Sequence, residues 1–76
     1  MKSVRILLDT TDKVKSFVNA VSAFDYEADV RSGRYVVNAR SILGIFSLEL
    51  DRPVVLEIYE NDCDDLLEKI KPFMVK

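Results

Sequence analysis

The chain has 76 residues, 49% of them hydrophobic, and a formal net charge of −2, so it can form one small domain around a single core. Its eleven Lys and Arg residues are scattered, which excludes a general nucleic-acid binder. No apolar run approaches the ~18 residues of a membrane span, and the start of the chain is not a signal peptide. The single Cys fits a reducing cytosol, so we expect one cytoplasmic domain over residues 1–76.

The chain contains no histidine. This absence removes the commonest general base, the commonest zinc ligand and any phosphohistidine, and it excludes serine-histidine and cysteine-histidine nucleophile pairs. The acidic residues between 60 and 65 lack the glycine and the distal Glu of a calcium loop, and the carboxylates around Cys63 oppose a reactive thiolate. We therefore expect no enzyme, no metal site and no cofactor.

A strand and a helix are predicted at the start of the chain. Apolar and other residues alternate over 3–8, which is typical of a half-buried strand. Asp9 to Asp12 supply turn and N-cap chemistry, and we expect Thr11 to be the cap. Apolar residues then recur at three- and four-residue steps, which predicts an amphipathic helix over 12–23.

Two strands of a hairpin come next. Alternation over 27–31 and over 34–37 predicts both, and Ser32-Gly33 marks the turn between them because Gly can adopt a positive φ.

The stretch 41–50 is predicted to be a helix that is apolar nearly all the way round, closed by Pro53. On a helical wheel, Ile45 and Leu48 fall beside Ser41 on one face. The other face collects four apolar residues: Ile42, Leu43, Phe46 and Leu50. One face can enter the core, and the other either completes the core or forms an exposed patch.

The last strand and helix follow. Residues 54–59 alternate most strongly, and Asn61 is the expected N-cap of a helix that ends near Lys71, before Pro72. Phe73 and Met74 are expected to fold back onto the core.

The predicted order is therefore β-α-β-β-α-β-α, an α+β fold. One mostly antiparallel sheet with all three helices on one face buries the amphipathic helices most economically. The other face should be wet, which would explain Arg5, Glu57 and Tyr59 at outward positions.

The segment R-S-I-L-G-I-F-S-L, from Arg40 to Leu48, resembles the regulatory-serine region of HPr, the histidine phosphocarrier of the bacterial phosphoenolpyruvate-dependent sugar phosphotransferase system. The preceding S-G-R-Y-V-V-N-A is similar to the glycine hairpin and third strand of that family, and the element order matches along the chain. The resemblance implies an HPr-like, two-layer open-faced sandwich with a four-stranded antiparallel sheet in the order 1-4-2-3.

The resemblance also implies functional residues. Ser41 matches the serine that an ATP-dependent HPr kinase phosphorylates, and Ile42, Leu43 and Phe46 match the apolar patch that docks enzyme I and other partners.

The active loop of the family departs from this pattern. That loop carries a glycine, the phosphorylated histidine, an arginine and a proline, none of which occurs among residues 9–14 here. Without an imidazole, no phosphohistidine can form. An acyl phosphate on Asp9 or Asp12 is a further hypothesis, although such chemistry usually needs a metal and another acidic group.

The predicted function is therefore an HPr-like regulatory or docking protein of the phosphotransferase system, and not an enzyme. Its partners would be an enzyme I-like protein, an HPr kinase-like protein or a transcriptional regulator, with no nucleic acid and no membrane. Ser41 is either a helix cap only or a cap and a phosphorylation site, with Arg40 and free N–H groups available to a phosphate. The patch could equally serve a homodimer.

The alternative hypothesis is a small-ligand-sensing or dimerising βαββαβ regulatory domain. The short second helix and the lack of a glycine-rich loop before the first helix speak against it.

Overall fold

The computed structural model describes residues 1–75 and contains seven main elements and a terminal 3₁₀ turn. In chain order these are β1 (Lys2–Ile6), α1 (Thr11–Ser22), β2 (Ala28–Ser32), β3 (Tyr35–Asn38), α2 (Ile42–Phe46), β4 (Val54–Ile58), α3 (Asp64–Ile70) and the turn Lys71–Phe73. Among the described residues, no helix combines the length and the apolar character needed to cross a membrane.

The four strands form one antiparallel sheet in the order β1-β4-β2-β3. Leu56 of β4 pairs with Val4 on one side and with Val30 on the other, so apolar side chains align in a row across the inner face. The core lies between this face and the helices, and its buried helix residues include Phe17, Ile45 and others. The predicted α+β architecture and the strand order 1-4-2-3 are confirmed.

The outer face of the sheet is less uniformly wet than predicted. Glu57 is only 9% exposed, because the guanidinium of Arg31 lies over it and donates two hydrogen bonds to Oε1, from Nε at 3.1 Å and from Nη2 at 3.0 Å. Asp29 sits directly opposite Glu57 in the register and accepts a 2.8 Å hydrogen bond from the hydroxyl of Tyr59. Each carboxylate of this like-charged pair thus has its own donor.

The N-cap of α1 is Thr10, and the prediction of Thr11 was one residue late. Thr10 has an extended backbone, and its Oγ1 accepts a 3.1 Å hydrogen bond from the amide of Lys13. A cap must accept from the amide two or three positions later while staying outside the helix, and Thr11 is already its first residue.

The predicted cap of α3 was also wrong. The helix begins at Asp64, and Cys63 occupies the N-cap position without a side-chain hydrogen bond. Asn61 lies farther back, where its Oδ1 accepts a 2.6 Å hydrogen bond from the amino terminus of Met1. The side-chain amide of Asn61 therefore binds the amino terminus, just before β1, and does not cap α3.

Phe73 returns to the core and Met74 does not. The Phe73 ring meets Phe17 edge-on at a centroid distance of 5.8 Å, whereas the Met74 side chain is exposed. The backbone explains the difference, because the carbonyl of Phe73 accepts from the amide of Leu7 at 2.9 Å and residues 74–75 continue along β1. Phe73 ends the 3₁₀ turn and Met74 begins the extended segment, so the two side chains leave the backbone in different directions.

Candidate functional site

The N-terminus of α2 is capped by Ser41. Its Oγ accepts a 3.2 Å hydrogen bond from the amide of Gly44, and its own amide donates to the carbonyl of Asn38 at 3.0 Å. Ser41 is exposed. The predicted capping role is therefore confirmed, and the hydroxyl lies at the surface.

The helix α2 is shorter than predicted, since it ends at Phe46 and not near Leu50. The hydroxyl of Ser47 donates a 2.5 Å hydrogen bond to the carbonyl of Gly44, and the amide of Ser47 donates to the same carbonyl at 3.1 Å. The amide of Leu48 reaches the carbonyl of Ile45 at 3.0 Å. These three-residue steps tighten the last turn and close the helix.

The apolar residues of α2 divide between the core and the surface. Ile45 and Leu48 are buried, as the helical wheel predicts. Leu43 is 81% exposed and Phe46 is 40% exposed, while Ile42 is half-buried and packs against the core. Of the two possibilities that the sequence left open, exposure therefore holds for Leu43 and Phe46, whereas Ile42 partly completes the core. We call Leu43 and Phe46, with Ile42 at their inner border, the α2 patch.

Gly44 allows α2 to sit close to β3. A Cβ atom at this position would lie 2.9 Å from Oγ of Ser41 and 3.1 Å from Cβ of Val37, both closer than normal packing allows. The glycine in the motif therefore serves both the cap and the approach of the helix to the sheet, and it helps to place Ser41 beside the patch.

Arg40 does not point a free guanidinium toward Ser41, contrary to the expectation. Its Nη2 donates to the carbonyl oxygens of Phe24 at 2.5 Å and Tyr26 at 3.0 Å, in the connection between α1 and β2. Its amide is held by Oδ1 of Asn38 at 2.8 Å. The guanidinium of Arg40 was expected to be available to a phosphate on Ser41. It is instead bound to two backbone carbonyls, which a phosphate would have to displace.

An ion pair occupies the loop before α1, where the resembled family carries its histidine. Nζ of Lys13 lies 2.9 Å from Oδ1 of Asp9, and this hydrogen bond lowers the pKa of the Asp9 carboxyl. Asp12 lies in the first turn of α1. In the described part of the chain, no three His, Cys, Asp or Glu side chains group in a way that could hold a metal ion.

Cys63 is buried, and its thiol is a weaker acid than a free cysteine. Burial is the main cause of the raised pKa, and the carboxylates of Asp64 and Asp65 add to it, while Lys2 opposes it. The sequence correctly indicated an unreactive thiol but assigned the effect to the carboxylates alone.

One connection could not be seen in the sequence. The Tyr26 hydroxyl donates to Oδ1 of Asp65 at 2.7 Å, and the Tyr26 ring stacks with Phe24 at a centroid distance of 5.9 Å. Together with Arg40, these contacts tie the segment before α2 to the start of α3. No local spacing signals such a contact, because its partners are distant in the chain.

Three solved structures with the same fold are HPr or histidine-containing phosphocarrier proteins. HPr-C-His from Thermoanaerobacter tengcongensis superposes with a TM-score of 0.78 and 26% identity, covering 95% of this chain and 89% of that one. HPr from Bacillus anthracis gives 0.72 and 22%, covering 97% and 94%. The histidine-containing phosphocarrier protein of a Mycoplasma gives 0.72 and 16%, covering 93% and 86%.

No family model and no curated protein matches the sequence. The fold and the capped α2 helix nevertheless place the chain in one class, the small open-faced sandwiches of the phosphocarrier type. The chain has an HPr-like fold, and its sequence contains no histidine.

Proposed function

We propose that this protein is a cytosolic regulatory or docking module of the sugar phosphotransferase system that carries no phosphohistidine. The exposure of Leu43 and Phe46 directly after the Ser41 cap is the observation that carries the proposal. The likeness to phosphocarriers supplies the kind of partner, and the lack of any histidine excludes their phosphorylated group. Without that acceptor, the protein could compete for sites that a true phosphocarrier uses.

The α2 patch has the chemistry of a small protein-docking surface. Burying a Leu or Phe side chain in an interface is favourable by about 1.5–3 kcal/mol each. Because Leu43 and Phe46 are held by a helix whose opposite side enters the core, their positions are set before any partner arrives. An enzyme I-like protein, an HPr kinase-like protein or a transcriptional regulator would bind here.

Phosphorylation of Ser41 would place close to two negative charges at the start of α2, beside the patch. The Ser41 side chain is exposed and accepts only the Gly44 amide, so a kinase could reach its oxygen without opening the core. Arg40 could reach the new phosphate only by leaving the carbonyls of Phe24 and Tyr26. The modification would thus change docking by charge, and it would loosen one connection to the rest of the fold.

The test of the switch is intact mass after incubation with an HPr kinase and ATP. We expect a gain of one phosphate that is absent from Ser41→Ala. Ser41→Asp is a useful companion, since Asp caps helices about as well as Ser and keeps α2 intact. No gain of mass in the wild-type chain would reduce Ser41 to a helix cap.

The test of docking is calorimetric titration with enzyme I. Leu43→Ala and Phe46→Ala should each weaken binding about tenfold, which corresponds to about 1.4 kcal/mol. Val36→Ala is the matched control, because Val36 is also an exposed apolar residue but lies on the other side of the sheet. Equal losses in all three variants, or no binding of the wild type, would contradict a docking role for the patch.

A second copy of the chain would cover the α2 patch equally well, as in the dimerising alternative. Sedimentation equilibrium separates these cases. A dimer that Leu43→Ala dissociates would favour self-association, whereas a monomer that binds enzyme I would favour the docking module.

Incubation with phosphoenolpyruvate and enzyme I would reveal an acyl phosphate on Asp9 or Asp12, and we expect no label there because Asp9 is already paired with Lys13.

A further inference from the structure

A cleft of about 880 Å³ opens at the end of the sheet that carries the β2–β3 turn. One wall is formed by residues 31–37, and the other by the connection from α2 to β4, between Ser47 and Val55. None of residues 40–46 lines it, so the cleft is separate from the α2 patch. Its size lies within the roughly 300–1,000 Å³ typical of small-molecule sites.

Positive charge is concentrated in this cleft, although the chain as a whole is acidic. Arg31, Arg34 and Arg52 all line it, and Glu49 is the only acid among its described lining residues. Arg31 is already paired with Glu57. Two cationic side chains therefore supply most of the uncompensated charge.

Arg34 and Arg52 have no hydrogen bond or ion pair from their side chains within residues 1–75. Both side chains are exposed at the cleft. A guanidinium presents a planar fork of donors that fits the two oxygens of a carboxylate or phosphate. Two unpaired forks offer enough N–H donors for the oxygens of one dianionic ligand.

Much of the remaining lining is apolar or aromatic, beside Ser32 and Ser47. Tyr35 is 68% exposed and Val36 is 44% exposed, and both line the cleft together with Pro53 and Val55. An inorganic ion would leave this surface uncovered. An organic group attached to the anion would bury it, with a gain of about 25 cal/mol for each Å² of apolar surface removed from water.

We propose that this cleft binds a small organic dianion, either a phosphate monoester or a dicarboxylate, with Arg34 and Arg52 on its oxygens and the exposed apolar surface of the cleft against its organic part. The two sources share the dianionic oxygen chemistry, and the experiment distinguishes them. Such a site would let an HPr-like protein respond to a metabolite independently of protein docking at α2.

The experiment is an NMR titration of the ¹⁵N-labelled full chain with phenyl phosphate, phthalate and inorganic phosphate at constant ionic strength. We expect saturable shifts of amides over 32–35 and 49–52 with at least one organic dianion, and binding of inorganic phosphate at least about tenfold weaker. Saturation by phenyl phosphate alone would assign a phosphate ester, and by phthalate alone a dicarboxylate.

Arg34→Gln and Arg52→Gln should each weaken the binding about tenfold. Both residues are exposed and unpaired, so these variants should fold, and retained dispersion of the amide spectrum would verify it. Lys15→Gln is the matched control, because it removes the same charge from the solvent face of α1. Leu43→Ala should leave anion binding unchanged, which separates this site from the docking patch.

Three results would overturn the proposal. These are an absence of saturable shifts with either organic dianion, equal affinity for inorganic phosphate, and equal weakening by Lys15→Gln and the two arginine variants. An absence of saturable shifts would mean that the cleft does not bind organic dianions. Either of the other two results would mean that the shifts arise from general charge attraction.

Discussion

The hydroxyl of Tyr26 lies 2.7 Å from Oδ1 of Asp65, and this hydrogen bond joins the segment before β2 to the first turn of α3. The carbonyl of the same tyrosine accepts from Nη2 of Arg40 at 3.0 Å. Tyr26 therefore connects the residue before the Ser41 cap with the start of α3. A phosphate that attracted Arg40 would act on one end of this connection.

The Tyr26–Asp65 contact predicts a loss of stability in alkaline solution. The hydrogen bond to the Asp65 carboxylate is the main cause that raises the pKa of Tyr26 to about 12, from 10.0. The unfolded chain therefore releases this proton before the folded chain does. The stabilisation is complete below pH 10 and is lost as the pH rises through about 12.

The measurement is the melting temperature as a function of pH, combined with absorbance of ionised tyrosine. Tyr26→Phe should flatten the decline of the melting temperature between pH 10 and 12 and remove the tyrosine transition near pH 12. An unchanged pH profile in Tyr26→Phe would show that another group causes the decline.

The two glycines should respond to alanine for different reasons. At Gly44 the added Cβ would meet Oγ of Ser41 and Cβ of Val37, so we expect a loss of about 1–3 kcal/mol from overpacking. Gly33 has open space but a φ of 60°, so alanine there should cost about 1–2 kcal/mol through its left-handed backbone.

Urea unfolding of both variants and of Gly33→Asn separates these causes. Asn tolerates positive φ and should recover much of the loss at residue 33, whereas Gly44→Asn should recover nothing. Recovery at residue 44 would mean that backbone conformation, and not the contact with Ser41, selects the glycine.

Substitutions on the two faces of α2 should change stability by very different amounts. Ile45→Ala should lower the free energy of unfolding by about 2–5 kcal/mol, because its side chain is fully buried. Leu43→Ala should change it by less than about 0.5 kcal/mol, because Leu43 is mostly solvated. Urea titrations measure both, and a large loss in Leu43→Ala would place that residue in the core and weaken its assignment to docking.

Cys63 should be protected in the folded chain. Because burial raises the pKa of its thiol and covers the sulfur, reaction with a disulfide reagent at neutral pH should be much slower than in urea. The comparison of reaction rates with and without urea checks this expectation. Rapid reaction under native conditions would indicate that α3 opens readily at its first turn.

The candidate site was predicted only in part. The motif around Ser41 indicated the cap and an apolar surface, and both are present in α2. The role of Arg40 was not predicted, since its acceptors are carbonyls 14 and 16 residues earlier in the chain. The arginines of the cleft looked scattered because Arg34 and Arg52 belong to different loops that meet only in the folded protein.

The sequence by itself determined the order of the elements and the apolar alternation of the strands. These features follow from periodicity and capping, which depend on residues a few positions apart. The HPr-like fold was implied by the resemblance of the segment around Ser41. Tertiary structure decided where α2 ends, that Thr10 and not Thr11 caps α1, and which cation faces which acceptor. Those outcomes depend on which groups from distant parts of the chain come into contact when the sheet and helices pack. Local sequence patterns do not predict such contacts.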